Sequence, residues 1–378
     1  MKRAITKVSL VIVAVLVAAV LALTVIGSPW RAYEASRLLL DLSALGTSTP
    51  DRRTQPMMRA PLTYEIAGRN YRADVYRPLE TPLGGLILLP GVGVMGKDDP
   101  RLAAFAATLA SARFVVLVPD LVRLRKLQLR ASATQEVVDA VVYMASSPSL
   151  APNGNVGIAA ISVTAGPAIM AALRPETRQH IRFILAIGGY YDLLTTLTFS
   201  MTGYFREQGE WRYQEPNQLG KWVFALSNIE GLTNRSDRQI FGAIAERRMN
   251  NEPVEFDGLA SRLSPEGRSI HRFITNTDPQ QAKALFAQLP AKVKYEIRAL
   301  SPSESDLSQV LAQVILVHGL DDPIVPYTES IALARALKPE RSQLFLVKGL
   351  VHVSLKPSLR DYWRLWSAVY ALLAERDR

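Results

Sequence analysis

The chain contains no cysteine among its 378 residues. This absence excludes disulfide bonds, thiolate zinc sites, iron–sulfur clusters, a cysteine nucleophile and a lipid anchor attached to a cysteine. It does not fix the cellular compartment, because a chain without thiols is compatible with both oxidising and reducing surroundings.

Histidine is scarce, so any mechanism that depends on an imidazole must use one of only four residues. Together with Asp and Glu they form no triplet at the helical or loop spacing of a metal site, and we predict no metal. Glycine-rich phosphate loops are also absent. The pattern Gly91-Val-Gly93 is too short for a dinucleotide site, so we predict no cofactor. The histidines are His180, His271, His318 and His352.

Acidic residues are outnumbered, with 34 Asp and Glu against 44 Lys and Arg and a net charge of +10. A basic protein can bind nucleic acid or lie near anionic lipid. The chain has no basic stripe interleaved with aromatics and no helix-turn-helix or zinc-finger pattern, so we predict no nucleic-acid partner. We interpret the densest basic run as a solvated loop or helix face; it contains Arg123, Arg125, Lys126 and Arg130.

One long stretch has no charge at all. Val8–Ile26 is a 19-residue run, preceded by Lys2, Arg3 and Lys7. About 20 apolar residues cross a bilayer, whereas the apolar region of a cleaved signal peptide has only about 7–15. We therefore predict an uncleaved single-pass anchor over residues 1–28. A cleaved signal and a buried helix remain alternatives.

The basic residues before the run weakly favour a cytoplasmic N-terminus, which would leave the rest of the chain outside the cytoplasm, in the periplasm if the source is bacterial. Trp30 suits the aromatic belt at a membrane interface.

The remaining chain alternates short Val, Ile and Leu runs with helical periods, which predicts a doubly wound, mostly parallel α/β sheet. Leu62–Ile66 and Tyr71–Tyr76 are expected to add an antiparallel hairpin at one edge. Ser132-Ala-Thr-Gln135 is typical of a capping box that begins a helix. We divide the chain into an amphipathic segment and linker (29–61), a first core part (62–192), an inserted segment (193–308) and a second core part (309–378).

The segment from about Leu193 to Asp306 breaks the alternation. It has helical periods, few strand candidates and clustered polar turns. Roughly 110 residues are too many for a loop in a compact sheet, so we predict an inserted, largely helical cap. Most of its aromatics are expected to form its own core, and others to line a pocket beneath it.

A first motif, Gly157-Ile-Ala-Ala-Ile-Ser162-Val-Thr-Ala-Gly166, carries a predicted buried strand directly into a serine and then a small-residue helix. A nucleophile at such a turn needs a strained backbone and small residues two positions before and after it. Ala160 meets this need, whereas Thr164 meets it poorly, and no G-x-S-x-G occurs in the chain. The alternative is a buried serine that caps a helix.

Two further motifs follow later strands. In Val314-Ile-Leu-Val-His318-Gly-Leu-Asp-Asp322-Pro-Ile-Val-Pro326, acidic residues follow a buried strand; they are either functional or part of a solvated Asp-Pro turn. In Leu344-Phe-Leu-Val-Lys-Gly-Leu-Val-His352, a histidine follows the last strand. The order Ser, Asp, His suits a triad in which imidazole takes the serine proton and a carboxylate orients the imidazole.

These motifs resemble those of the α/β-hydrolase fold superfamily, over about residues 62–192 and 309–378. The resemblance implies Ser162 as nucleophile, Asp322 as acid and His352 as base. It also implies an oxyanion hole from the backbone N–H groups of Val92 and Val163. Ala160 and Thr164 replace the two usual elbow glycines, which leaves open an inactive site.

Competing acids are Asp321, one residue early for the spacing, and Asp192, after the strand that ends near Gly188. His318 is expected to be structural. His180 and His271 do not follow the right ends of strands.

The resemblance thus implies a serine hydrolase that cleaves a small-molecule carboxylic ester. The uncharged run predicts that it is anchored in a membrane, and the apolar content of the cap favours an ester with a hydrophobic group. The alternatives are a non-catalytic binding protein of the same fold, a thioester or C–C hydrolase, and an acyltransferase on the same triad. The sequence predicts no oligomeric state.

Overall fold

The computed structural model describes residues 28–44, 57–217, 219–249, 261–351, 354–355 and 358–378. The predicted anchor Val8–Ile26 and the predicted base His352 lie outside these ranges. Within them, no helix combines the length and apolar character needed to cross a membrane.

Eight strands of the described residues form one sheet, in the spatial order β1-β2-β4-β3-β5-β6-β9-β10. The pairs β1·β2 and β2·β4 are antiparallel and the other neighbours are parallel. This confirms the mostly parallel sheet with an antiparallel hairpin at one edge. The strands are β1 (Met57–Ile66), β2 (Arg69–Pro78), β3 (Gly84–Leu89), β4 (Phe114–Pro119), β5 (Val156–Ile161), β6 (Ile181–Ile187), β9 (Gln313–Gly319) and β10 (Ser342–Val347).

The central strands are continuous apolar runs because helices cover both faces of the sheet. Every residue of β4 is buried, and all of β3 except Gly84. The covering helices are α1 (Pro29–Ala44), α2 (Pro100–Ser111), α3 (Val122–Arg125), α4 (Ser132–Ala145), α5 (Ala165–Ala171), α12 (Thr328–Ala336) and α13 (Leu359–Arg376).

Two apolar cores lie on opposite faces of the sheet. Helices α4, α5 and α12 pack on one face, where the core continues into the segment inserted after β6. Helices α1, α2 and α13 pack on the other face. Strand β1 begins at Met57, five residues before the expected start, so the predicted linker is shorter than 29–61.

The segment between β6 and β9 is largely helical, as its periodicity predicts, but it also holds a hairpin that the sequence did not reveal. Its strands have only four residues each, and the turn uses the positive φ of Gln208 and Gly209. The elements are α6 (Leu193–Thr202), β7 (Tyr204–Glu207), β8 (Glu210–Tyr213), α7 (Leu219–Ile229), α8 (Arg235–Met249), α9 (Pro265–Ile274), α10 (Ala282–Ala287) and α11 (Ala291–Ala299).

The start of α4 corrects two predictions from local sequence. Ser132 opens the helix, but no side-chain capping bond forms there. Instead, the backbone N–H of Ala131, the residue before Ser132, donates a hydrogen bond of 2.7 Å to the carboxylate of Glu296 in α11. Arg130, assigned above to a solvated basic face, is largely buried and pairs with the same carboxylate at 3.0 Å. This ion pair therefore ties the inserted segment to the core.

Candidate active site

Ser162 lies where β5 ends, and its backbone has the positive φ of +56°. A non-glycine residue in this region is strained, and such strain at a strand-to-helix turn is typical of a nucleophile elbow. Residues Ser162–Thr164 form a 3-10 turn that leads into α5. Within the described residues the Ser162 hydroxyl has no hydrogen-bond partner, so it does not act as the helix cap considered as its alternative role.

Thr164 fits this turn because its side chain folds back onto the chain. Its Oγ1 donates to the Ile161 carbonyl at 2.9 Å and accepts from the Ile161 N–H at 3.1 Å. The side chain is fully buried, as is Ala160. The residue that looked too large for the elbow therefore closes the turn that holds Ser162 in its strained conformation.

The loop after β3 approaches the elbow closely, as an oxyanion hole requires. A Cβ added to Gly91 would lie 3.8 Å from the Ser162 Cβ, an ordinary van der Waals distance, so the loop runs directly beside the elbow. Val92 follows, and its N–H has no acceptor among the described residues. Val163 begins the turn after the serine, where N–H groups lack partners within the helix. These two amides are the donors expected from the sequence.

Asp322 lies beyond the carboxyl end of β9 and lines the same cavity as Ser162. Its Oδ1 accepts hydrogen bonds from the N–H groups of Ile324 and Val325 at 2.8 and 3.1 Å. Its Oδ2 faces Gly188, where an added Cβ would lie 3.2 Å away. One oxygen is therefore fixed by the backbone, whereas the other accepts no hydrogen bond from a described residue and lies 3.7 Å from the His318 Nε2.

The two competing acids have other partners. Asp321 Oδ1 accepts from the Gly349 N–H at 3.2 Å. Asp192 caps α6 by accepting from the Thr195 N–H at 2.8 Å, and its other oxygen accepts from the Ser303 hydroxyl at 2.7 Å. Of the three carboxylates, Asp322 alone lines the main cavity. The geometry thus supports Asp322 as the acid of the three. Its distance to His352 is not described, because His352 lies outside the described residues.

His318 braces the turn that carries Asp322. Its ring is completely buried, with Nδ1 2.6 Å from the Ser330 Oγ and Nε2 2.9 Å from the Val325 carbonyl oxygen. Burial lowers the pKa of His318, so the ring is held neutral. A neutral ring that donates from Nε2 and accepts at Nδ1 satisfies both contacts, and this fits the structural role predicted for it.

Glu329 is a buried acid that the sequence analysis missed. Its Oε2 accepts from the N–H groups of Tyr191 and Asp192 at 3.0 and 2.7 Å, so it fixes the chain where the inserted segment leaves the core. Burial raises the pKa of Glu329 to about 8. No local pattern marks it, because it lies in an ordinary helix and its partners are more than 130 residues away.

A cavity of about 560 Å³ joins Ser162 to Asp322. One wall of the cavity is formed by residues of the inserted segment, including Leu197, Val223 and Ile297. Of the aromatics predicted for the segment, Phe224 lines the cavity, whereas Phe205 packs against Phe199 and Tyr327. Phe199, Phe205, Trp222 and Phe224 are buried, whereas Tyr204 and Tyr213 are exposed, so only part of the aromatic content forms a core.

The opposite wall was not foreseen from the sequence. It consists of Leu39 and Leu42 of α1, Phe105 of α2, and Leu365 and Leu372 of α13. The cavity therefore runs from the carboxyl edge of the sheet toward the helices on the far face, and its lining is mostly apolar.

Comparison with known proteins supports the fold. No protein-family model matches the chain, and no curated protein matches it. An arylesterase structure aligns with 14% identity over 88% of each chain and a TM-score of 0.50. A hyperthermophilic esterase from the archaeon Pyrobaculum calidifontis aligns with 16% identity over 92% of each chain and a TM-score of 0.47. The chain has the α/β-hydrolase fold, which confirms the resemblance seen in the motifs.

Proposed function

We propose that the protein is a serine hydrolase that cleaves a carboxylic ester with a hydrophobic group, using Ser162, His352 and Asp322. The observation that carries the proposal is the strained Ser162, which lines an apolar cavity that Asp322 also borders. The fold also hosts an arylesterase, so ester hydrolysis has a precedent on it, although fold alone does not define activity.

In the proposed reaction, Ser162 Oγ attacks the ester carbonyl carbon while His352 takes the hydroxyl proton. The N–H groups of Val92 and Val163 stabilise the oxyanion, a contribution of several kcal/mol in acyl transfer. Collapse breaks the C–O bond, and the alcohol leaves with the proton from His352. Water, deprotonated by His352, then attacks the acyl-enzyme and releases the carboxylic acid and Ser162.

The segment that leads to His352 supports its assignment as the base. Strands β9 and β10 are parallel neighbours that end level, with Gly319 opposite Val347. The next two N–H groups are held in place: Lys348 donates to Asp361, and Gly349 donates to Asp321, both at 3.2 Å. The chain toward His352 therefore leaves the same sheet edge that carries Asp322.

The cavity supports a hydrophobic acyl or alcohol group. Its volume of about 560 Å³ lies within the roughly 300–1,000 Å³ typical of small-molecule sites. A screen of p-nitrophenyl esters of increasing chain length would define the preference. Thioester, C–C and acyl-acceptor substrates in the same screen test the other reactions available to this triad.

We also propose that Val8–Ile26 is retained as a membrane anchor, with the hydrolase outside the cytoplasm. The proposal rests on its 19 uncharged residues and on the basic residues before it. Sequencing the N-terminus of the mature protein tests retention, and a reporter fused after Arg378 tests orientation. A mature N-terminus near Ser28 would show a cleaved signal instead.

The nucleophile is tested with a fluorophosphonate probe on the full chain in detergent. We expect the wild type to be labelled and Ser162→Ala to lose the label. Ser200→Ala removes a second hydroxyl from the same cavity and should stay labelled. Labelling that survives Ser162→Ala would assign the reaction to another serine, and an unlabelled but folded wild type would support a non-catalytic binding protein.

A further inference from the structure

The outer side of α1 carries large apolar side chains where a surface helix normally has polar ones. Trp30, Tyr33 and Leu40 are 67%, 53% and 59% exposed. With Arg37 they follow the spacing i, i+3, i+7, i+10, so all four lie along one stripe of the helix. The inner side of α1 is buried in the core through Leu38 and Leu39.

Helix α13 extends this stripe into a continuous aromatic face. Trp363 is 60% exposed and stacks on Trp366, with ring centroids 4.8 Å apart. A groove between the two helices is lined by Tyr33 of α1 and by Tyr362, Trp363 and Trp366 of α13. We call the surface formed by Trp30, Tyr33, Leu40, Tyr362, Trp363 and Trp366 the aromatic face.

The aromatic face is a fixed part of the folded body. The Ser28 N–H donates to the Tyr370 hydroxyl at 3.1 Å, and the Trp366 Nε1–H donates to the Ser36 hydroxyl at 3.0 Å. An ion pair joins Glu34 to Arg376 at 2.7 Å. Because α1 is bound to α13 along its length, its outer stripe is held in one orientation.

Among the described residues, the charge around this face that forms no ion pair is positive. The nearby carboxylates of Glu34, Asp361 and Asp377 each pair with an arginine. Arg37 and Arg360 are exposed and form no ion pair with any described residue. Exposed indole and phenol rings beside unpaired arginines match the boundary between acyl chains and anionic headgroups.

The position in the chain favours a lipid surface over other partners. Helix α1 begins at Pro29, three residues after the uncharged run that ends at Ile26. Trp363 is more than 300 residues away in sequence, yet it lies on the same face. An anchor alone would bring Trp30 near a bilayer, whereas contact at Trp363 requires the folded body to rest on it.

We propose that the aromatic face docks on the surface of a bilayer that contains anionic lipid. This inference does not depend on the proposed hydrolase activity, and Ser162→Ala should dock as the wild type does. Docking would place helices α1 and α13, whose inner sides contribute Leu39 and Leu372 to the cavity wall, between the cavity and the lipid.

The test uses the full chain reconstituted in nanodiscs of phosphatidylglycerol and phosphatidylcholine, with brominated acyl chains as quenchers of tryptophan fluorescence. We expect part of the fluorescence to be lost, and Trp363→Phe to remove a share of that loss. Trp211→Phe is the matched control, because Trp211 lies on strand β8 of the inserted segment; it should leave the absolute loss of fluorescence unchanged.

A charge-reversal arm tests the headgroup contact. We expect Arg37→Glu with Arg360→Glu to reduce the quenching of Trp363 in discs with phosphatidylglycerol. Circular dichroism verifies that each variant is folded. Absence of quenching at Trp363, whether the chain stays in solution or attaches only through its first residues, overturns the proposal. A second result would also overturn the proposal. If aqueous iodide fails to quench Trp363 in the absence of lipid, a second copy of the chain covers the aromatic face.

Discussion

The turn that carries Ser162 and the turn that carries Asp322 lie at the same sheet edge but are stabilised in opposite ways. The Ser162 turn, residues 161–164, has an unfavourable φ at the serine itself. The Asp322 turn, residues 321–325, is held by hydrogen bonds from Ile324, Val325 and His318. The serine conformation thus costs free energy, whereas the acid is part of what stabilises its own turn.

This difference has consequences for substitution. Replacing Ser162 by glycine should remove the backbone strain and so stabilise the fold, although it also removes the proposed nucleophile. Replacing a residue of the hydrogen-bonded turn should harm both activity and stability. Substitutions at Asp322, Thr164 and Ser162 test this contrast, and Glu329 tests the buried acid that holds the start of the inserted segment.

Asp322→Asn should reduce kcat/KM for a p-nitrophenyl ester by about 10³–10⁴-fold, because an amide favours the wrong imidazole tautomer. Asp321→Asn and Asp192→Asn remove comparable carboxylates and should cost less than about tenfold. Steady-state kinetics on folded variants measure all three. If Asp192→Asn abolishes turnover while Asp322→Asn retains it, the acid is misassigned.

Glu329 should make the fold less stable as pH rises. Its pKa is raised in the folded state to about 8, so between pH 4.5 and 8 the folded chain keeps a proton that the unfolded chain releases. We expect the wild type to lose roughly 2–4 kcal/mol relative to Glu329→Gln between pH 5 and 8.

Urea unfolding of both proteins at each pH measures this difference, in which the contribution of His318 cancels. A constant difference across the pH range would contradict the buried, protonated state of Glu329.

Thr164→Val should lower the free energy of unfolding by about 1–2 kcal/mol, because it keeps the shape but removes both bonds to the Ile161 backbone. Thr164→Ser keeps the hydroxyl, so its free energy of unfolding should fall by less than that of Thr164→Val. Equal stabilities of the two variants in urea would show that the hydroxyl does not hold the turn.

Ser162→Gly should be about 1 kcal/mol more stable than Ser162→Ala, since glycine adopts a positive φ without a Cβ clash. At Ser367, inside α13, the order should be reversed: Ser367→Ala should be more stable than Ser367→Gly, because glycine is unfavourable in a helix. The same sign at both positions would mean that the Ser162 turn stores no strain.

Several features could be read from the sequence because they depend on neighbouring residues. The buried runs expected at Gly85–Leu89, Phe114–Val118, Asn155–Ala160 and Val314–Val317 are found as β3, β4, β5 and β9, within one or two residues of these bounds. The order of the three motifs and the antiparallel hairpin at one edge follow from the same local signals. The Ser162 elbow was expected despite Thr164, since the strand-to-helix pattern is local too.

Other features could not be read, because their partners are distant in the chain. The bond from Ala131 to Glu296 replaces a capping box that looked satisfactory locally. The short strands β7 and β8 lack the length for a clear alternation of apolar and polar residues. The sequence suggested three acids, and their surroundings in the folded chain differ, since Asp322 alone of the three lines the cavity.

The sequence by itself determined the central strands of the main sheet, because continuous apolar runs are stable only between two layers of helices. It also determined that a serine and an acidic pair follow such strands. Only the tertiary structure decided that α1 and α13 lie together, that their inner sides wall the cavity, and that their outer sides form one aromatic face. The reason is physical: a local pattern shows that a side chain is apolar, whereas long-range packing decides which surface that side chain meets.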